Sequence, residues 1–283
     1  MAKGWGMSKT VANIIQKFAG LATSFMKPNR RALTLALASE RLVQVHRLST
    51  AKGDVAFCCP SARALHDPLN FFKDEPETIR WIDVFVKDGD VFWDIGANIG
   101  VYTLYAALNP NVTVLAFEPG AASFGALVKN VELNGMGDRV QTYCLAFDET
   151  TRLDFLNMAN TVAGGSMHAF GQLDTVEGRI EPVFSQVAPG FSIDDFRRMF
   201  GVRQPDHVKL DVDGIEEKIL RGGEGALKGV KTVLVELVGA HRERMERGPS
   251  AVLAEYGFRQ AGHFNKDTSR NWLFVNSRLG GIP

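Results

Sequence analysis

The sequence predicts an α/β protein built on a mostly parallel sheet, covered by helices on both faces and closed by a terminal antiparallel hairpin. Three observations carry that prediction. Strand-length apolar runs alternate with helical patterns from Val91 to Leu237. The runs are nearly continuous rather than alternating, as strands buried on both faces are. The first of them, Val91 to Ile95, breaks into a glycine turn that ends at Gly100 and opens a helix. Such a junction offers a ligand free N–H groups and close backbone approach.

With 283 residues, 45% of them hydrophobic and 23% charged, the chain can bury a full core and has no signature of disorder. Its 32 basic and 32 acidic residues cancel, so a general attraction to nucleic acid is not expected. Cys58, Cys59 and Cys144 show neither a disulfide framework nor metal spacing, which points to a reducing, cytoplasmic setting. The longest apolar stretches are strand-sized, short of the ~20 residues of a transmembrane helix, and no signal peptide is expected.

In chain order, Val11, Ile14, Ile15, Phe18, Leu21 and Phe25 recur at helical spacing, which predicts an amphipathic helix over residues 8–26 ended by Pro28. It is expected to pack on its own domain or on a second copy, with peripheral membrane contact as the alternative. A second helix is predicted from Arg31 to Leu48. Ala56 to Asn70, with Pro60 and Pro68, reads as irregular or extended chain, and Pro76 opens a helix through Val86. There follow strand Val91 to Ile95, helix Gly100 to Leu108, strand Val112 to Phe117, helix Ala121 to Leu133 and strand Val140 to Phe147. Thr150 to Gly190 breaks this rhythm and reads as an irregular insertion with short strand-like pieces, the kind of segment that is often functional. Ser192 then caps a helix over Ile193 to Phe200. Strand His207 to Val212, helix Ile215 to Leu220, strand Val230 to Leu237 and a helix between Ala240 and Tyr256 resume the alternation. Gly257 to Phe264 and Trp272 to Asn276 form the closing hairpin.

Acids gather at the strand ends: Asp94 on the first, Glu118 on the second, Asp211 and Asp213 on the fourth, Glu236 on the fifth. Ligands of such sheets bind outside those carboxyl ends. Pro119 breaks the second strand directly after Glu118, leaving the carboxylate where it could accept both hydrogen bonds of a ribose diol. Asp94 selects among cofactors. A pyrophosphate lying on the glycine turn would meet its like charge, whereas a ribose-bearing cofactor with cationic groups would be favoured. S-adenosylmethionine, with a sulfonium and an α-ammonium, fits.

Four blocks resemble the FkbM-type S-adenosylmethionine-dependent methyltransferases in content, order and spacing: V-F-W-D-I-G-A-N-I-G at 91–100, A-F-E-P at 116–119, S-I-D-D-F at 192–196 and V-K-L-D-V-D-G-I-E-E-K-I-L-R-G at 208–222. The resemblance runs from about Asp67 to Asn276. It implies a seven-stranded Rossmann-like methyltransferase domain over 67–283, with an insertion at about 150–190. Residues 1–66, outside the match, form an N-terminal helical or irregular extension. By resemblance, Asp94, Gly96, Ala97, Asn98 and Gly100 surround the methionine end of the cofactor. Glu118, followed by Pro119, holds the ribose, and the backbone around Leu145 and Ala146 frames the adenine. The implied reaction is O-methylation of a hydroxyl on a sugar or a small-molecule, natural-product acceptor.

Methyl transfer asks the protein to align acceptor and donor and to remove a proton. Along an extended strand, Lys209, Asp211 and Asp213 would share a face. Asp211 is the candidate base, with Asp213 and Glu236 as further catalytic candidates. Alternatively, Lys209 pairs with Asp211 and fixes the strand end, or Asp211, Asp213 and Glu216 hold a divalent ion, since hard cations favour clustered carboxylates. His168 and His241 are candidate acceptor contacts. Two rival functions stand: a degenerate methyltransferase fold acting as a binding or scaffolding subunit, and a glycosyltransferase that uses Asp211-Val212-Asp213 as its D-x-D. Acceptor specificity is expected to lie in the N-terminal segment and the insertion, and the N-terminal helices are candidates for pairing two copies.

Overall fold

The computed structural model describes residues 2–175, 178–236, 242–262, 264 and 270–279. Contacts divide the chain into two units, Met1–Gln44 and Val45–Pro283. Residues 66 and 67, the expected domain boundary, both lie within one helix of the second unit.

The first unit is a pair of helices, α1 (Ala2–Ala22) and α2 (Pro28–Leu42). Pro28 occupies the first turn of α2, where its missing N–H costs nothing. Arg31 fastens the turn between them, donating from Nε to Thr23 Oγ1 at 3.3 Å and from Nη2 to the Gly20 carbonyl at 3.4 Å. The second helix does not reach Leu48 as expected. Val43 and Val45 are β-branched, and the chain turns extended as β1 (Gln44–Thr50), which pairs with β2 (Gly53–Cys59).

Ala56 to Asn70, expected to be irregular or extended, is extended only through the end of β2 and then helical, as α3 (Ala62–Asp74), which carries Pro68 inside it. Ser61 caps α3, its Oγ accepting the Ala64 N–H at 3.0 Å, and Ala64, Pro68 and Phe71 are buried along one face. Burial of that face offsets the backbone hydrogen bond a helical proline removes. Next comes α4 (Pro76–Phe85).

The central sheet then forms from β3 (Val91–Ile95), β4 (Thr113–Phe117), β5 (Val140–Tyr143), β12 (His207–Leu210), β13 (Thr232–Glu236), β14 (Phe258–Gln260) and β15 (Asn271–Asn276). Their order is β14-β15-β13-β12-β3-β4-β5. From β13 to β5 all neighbours are parallel, and β15 runs antiparallel between β13 and β14. The connecting helices are α5 (Val101–Ala107), α6 (Ala121–Leu133), α7 (Ile193–Phe200), α8 (Glu216–Arg221), α9 (Glu224–Leu227) and α10 (Arg242–Glu255). The chain runs outward from β3 through β4 to β5 and then restarts at β12 on the other side. The strand order therefore reverses between β3 and β12, the position at which open α/β sheets bind ligands.

Successive β3 side chains feed two cores. Phe92 joins Trp81, Leu104 and Leu127 on one face, and Trp93 joins Phe117, Phe147 and Phe196 on the other. Trp93 and Phe147 stack with centroids 6.0 Å apart, and Phe196 from α7 presents its edge to both. In the S-I-D-D-F block, Ser192 Oγ accepts the Asp195 N–H at 3.1 Å and Phe196 fills the core, so both residues serve packing.

The expected strand Val140 to Phe147 is two strands in two sheets. β5 ends at Tyr143, and β6 (Ala146–Phe147) joins a second sheet of order β6-β11-β7-β8. This sheet is the insertion. β7 (Arg152–Met158) pairs along its whole length with β11 (Phe184–Phe191), and β8 (His168–Phe170) flanks β7. β9 (Asp174–Thr175) and β10 (Gly178–Arg179) make a small separate ribbon. The expected strand-like pieces Leu153 to Met158 and Pro182 to Val187 overlap β7 and β11, and their pairing makes the insertion an ordered β layer rather than irregular chain. Leu156, Met158, Phe170 and Ala188 are buried in the second core.

Candidate functional site

The glycine turn is locked at the switch point by its neighbours. Gly96 (φ +84°) and Gly100 (φ +88°) adopt a left-handed backbone that favours glycine. A Cβ on Gly96 would collide with the Asp211 carbonyl oxygen, and one on Gly100 with Leu127 Cδ1. The N–H groups of Gly96 and Ala97 both donate to the Phe117 carbonyl at 3.0 Å, which joins the turn to the end of β4. Asn98 is also left-handed, at φ +51°, and its Oδ1 is buried without a hydrogen-bond partner among the described residues.

Asp94 lies under this turn, 1% exposed. Thr103 on α5 donates to its Oδ2 at 2.6 Å, while Oδ1 is buried without a hydrogen-bond partner among the described residues. Burial raises its pKa, against the pull of the Lys209 ammonium.

Glu118 is held at the tip of β4 by backbone alone. Oε2 accepts the Asn98 N–H at 2.9 Å and Oε1 the Gly120 N–H at 2.7 Å. Burial pushes its pKa up to about 7, with those two hydrogen bonds acting in the opposite direction. Each oxygen keeps a lone pair for a ligand hydroxyl. The Pro119 carbonyl accepts from Gln186 Nε2 at 2.8 Å, which ties the same corner to β11. Leu145 and Ala146, where the chain passes from β5 to β6, are both buried.

Across the switch point from the turn lies a cluster of charges. Lys209 is 2% exposed, and its Nζ donates to Asp211 Oδ2 at 2.6 Å. Glu75, Asp211 and Glu236 each bring a carboxylate oxygen within 4.8 Å of the others. Arg270 Nη2 donates to Glu236 Oε1 at 2.7 Å, and Lys209 Nζ stands 5.1 Å from the Tyr102 ring centroid. Burial opposes charge on Asp211, but Lys209 and a hydrogen bond from Glu236 outweigh it and lower its pKa. Burial and the Asp211 charge push Glu236 well above the usual range. The two carboxyls thus pull each other in opposite directions, Asp211 toward its charged form and Glu236 toward its neutral one.

Asp213 and Glu216 are placed differently from expectation. β12 ends at Leu210, so strand alternation does not extend to Asp213, whose backbone is left-handed at φ +59°. Its Oδ2 accepts the N–H groups of Met167 at 2.6 Å and His168 at 3.2 Å, anchoring the insertion. Glu216 accepts the Gly214 N–H at 3.1 Å, and burial pushes its pKa up to about 8. The three carboxylates that come together are Glu75, Asp211 and Glu236, not Asp211, Asp213 and Glu216. The insertion is pinned at further points: Ser61 Oγ donates to the Ala163 carbonyl at 2.6 Å, and the Gly164 N–H donates to Ser123 Oγ at 3.1 Å. His168 is half-buried with Nδ1 lacking a partner, and burial lowers its pKa. His241 lies outside the described residues.

Sequence reasoning missed Glu75, Tyr102 and Arg270. Glu75 stands before Pro76 at a helix start, where an acid is ordinarily explained by the helix dipole. Arg270 belongs to a polar turn, which carries no pattern at all.

A glycine turn at the switch point, with one antiparallel strand lodged in an otherwise parallel seven-stranded sheet, places the protein among the Rossmann-like methyltransferases. Within that class it belongs to the FkbM methyltransferase family, whose profile, described as "Methyltransferase FkbM domain", matches residues 94–262. The chain is 28% identical over 165 residues to the hexuronic acid methyltransferase AglP of Haloferax volcanii, covering 58% of this chain and 63% of that protein. It is 40% identical over 84 residues to the 31-O-demethyl-FK506 methyltransferase FkbM of Streptomyces tacrolimicus, covering 29% of this chain and 32% of that protein. The chain thus spans less than two thirds of the length of these relatives. Among solved structures, a precorrin-6y C5,15-methyltransferase from Geobacter metallireducens aligns with TM-score 0.40 at 13% identity, over 70% of this chain and 83% of that one, a level at which no detail is carried across. Among the described residues no helix is long and apolar enough to cross a membrane.

Proposed function

We propose that this protein transfers a methyl group from S-adenosylmethionine to a hydroxyl oxygen of a sugar or small-molecule acceptor. The observation that carries this reading is the facing of two unlike half-sites across the β3/β12 junction: a backbone cradle with Glu118 on one side, and on the other a carboxylate cluster of half-buried Glu75 and Asp211 with buried Glu236. The cradle fits the cofactor. Buried acceptors without partners are costly, and Asp94 Oδ1 and Asn98 Oδ1 are two of them. An ammonium from the methionine end would satisfy them, and Glu118 would accept from the ribose diol. Asp94, Gly96, Ala97, Asn98 and Gly100 would enclose the methionine end, with Pro119, Leu145 and Ala146 bordering the adenine.

When bound, S-adenosylmethionine supplies a methyl group already activated by the sulfonium. The residues of this chain would align the acceptor oxygen and take its proton. Asp211, steadied by Lys209, would receive that proton as the acceptor oxygen takes the methyl group. Glu236, donating to Asp211 and gripped by Arg270, sets the charge of the pair. Asp213 acts at one remove by fixing Met167 and His168 of the insertion over the site. A D-x-D reading gains no support, because Asp211 Oδ2 is taken by Lys209 and Asp213 Oδ2 by two backbone N–H groups. The hexuronic acid relative favours a sugar among acceptor classes.

Calorimetric titration with S-adenosylhomocysteine, beside UDP-glucose with manganese, tests the reading. Saturable binding of the first is expected, weakened ~100-fold or more by Glu118→Ala, since two charge-assisted hydrogen bonds are lost. A folded protein that does not bind S-adenosylhomocysteine would sink the proposal. Affinity should also depend on pH with a definite sign. The ribose hydroxyls donate to ionised Glu118, whose pKa in the free protein is about 7. Binding therefore strengthens as pH rises, by about 10-fold from pH 6 to pH 8, and levels off above. Flat affinity over that range would remove Glu118 from the contact.

The same cluster bears on metal dependence. Lys209 and Arg270 already place two cations on two of the three carboxylates, which leaves a divalent ion little charge to neutralise. Turnover is expected to be unchanged in excess EDTA. Loss of activity that magnesium or manganese restores would give Glu75, Asp211 and Glu236 a metal instead.

A further inference from the structure

The first unit presents a long exposed apolar face. On and just beyond α1, Met7, Val11, Ile14, Phe18, Leu21 and Phe25 recur at three-, four- and seven-residue steps, which places them in one stripe along the helical run. They are 49–81% exposed. In α2 no residue is buried, and Leu33 is 61% exposed. Residues 1–44 hold seven lysines and arginines and a single acid, Glu40. The whole chain sums to zero, so a surplus of six positive charges in this segment is balanced by the opposite surplus in residues 45–283.

We propose that this helical pair docks in the plane of an anionic lipid surface. The apolar stripe would enter the boundary between headgroups and acyl chains, with Lys17 on its flank and Arg30 meeting the phosphates, while Lys9 on the opposite, polar face adds to the attraction. An exposed apolar face on a helix bordered by basic residues is the pattern of an interfacial anchor. Charge selects the occupant. A second copy of the same stripe would bring a like surplus of positive charge against the first, whereas an anionic headgroup layer attracts every lysine and arginine near it. No described helix is long and apolar enough to span the bilayer, which leaves the surface. The proposal stands apart from the methyltransferase reading and does not need it.

Co-sedimentation of the full chain with vesicles tests this. Binding to vesicles of mixed phosphatidylcholine and phosphatidylglycerol should exceed binding to pure phosphatidylcholine by ~10-fold or more, and should weaken at high salt. The double variant Phe18→Glu/Leu21→Glu should lose binding to both, and Lys9→Glu/Lys17→Glu should lose the preference for phosphatidylglycerol. S-adenosylhomocysteine affinity, measured alongside, should be unchanged in both variants. Two results would overturn the proposal: no preference for the anionic vesicles, or a dimer in sedimentation velocity that the Phe18→Glu/Leu21→Glu change dissociates, which would assign the stripe to a second copy.

Discussion

Gly96→Ala is expected to destabilise the protein by ~3 kcal/mol or more and to abolish S-adenosylhomocysteine binding. Two separate costs combine. The backbone at φ +84° disfavours any residue with a Cβ, and the added methyl would be driven into the carbonyl oxygen of Asp211, which is backbone and cannot rotate aside. Relief requires β3 and β12 to part at the point where the strand order reverses. That movement would also separate the Gly96 and Ala97 N–H groups from the Phe117 carbonyl they share. Thermal unfolding should show a drop of roughly 6–12 °C for such a loss in a domain of this size. Gly125→Ala is the internal control. Gly125 lies inside α6 with open space around its missing Cβ, so the same substitution there should be neutral or stabilising by ~0.5–1 kcal/mol. If Gly96→Ala melts with the wild type, the turn is not held against β12 in the way described.

The sheet and the turn were legible because their signals are local. β3, β4, β12 and β13 are buried on both faces and spell themselves as apolar runs. Glycine at 96 and 100 is required by a left-handed backbone angle, a property of the chain at those residues, and the close approach of Asp211 and Leu127 adds to it. Ser192 capping α7 is likewise a three-residue event. What escaped depends on partners distant in sequence. The expected strand-like piece Pro182 to Val187 stops short of Pro189 and Gly190, poor strand residues that extend β11 because they pair with Leu153 and Arg152 of β7. Pro68 ordinarily ends a helix, but it is buried on the same face as Ala64 and Phe71, and those two join a core with Val55 and Phe57 of β2 and Leu104 and Tyr105 of α5. Glu75 and Arg270 reach the Asp211 cluster from either end of the fold, and neither carries a mark in its neighbourhood. Asp213 was misplaced for a subtler reason: alternation was extended three residues past the end of β12, across a left-handed backbone.

Asp211→Asn should lower kcat by ~10²–10⁴-fold while leaving S-adenosylhomocysteine affinity within a few-fold of wild type. The amide keeps the shape of the carboxylate and can still receive the Lys209 ammonium, but it cannot take a proton from an acceptor hydroxyl. The pH profile separates this from a structural effect. In the wild type, the burial of Asp211 is outweighed by Lys209 and Glu236, which lower its pKa, burial and the Asp211 charge raise that of Glu236, and the pair titrates as a unit. Activity should therefore fall as acid protonates Asp211, and that acidic limb should disappear from the residual rate of Asp211→Asn. Glu236→Gln still donates to Asp211 but removes the second titrating group. It should lower kcat by ~10-fold, retain the acidic limb and change the alkaline one. The competing account gives Asp211 no task except pairing with Lys209 to fix the end of β12. On that account Asp211→Asn would lower the melting temperature, leave the shape of the pH profile intact, and reduce kcat no more than the loss of folded protein requires. The two outcomes differ in a quantity that protein stability does not move, so the base and the strut can be told apart even though one side chain is placed to be both.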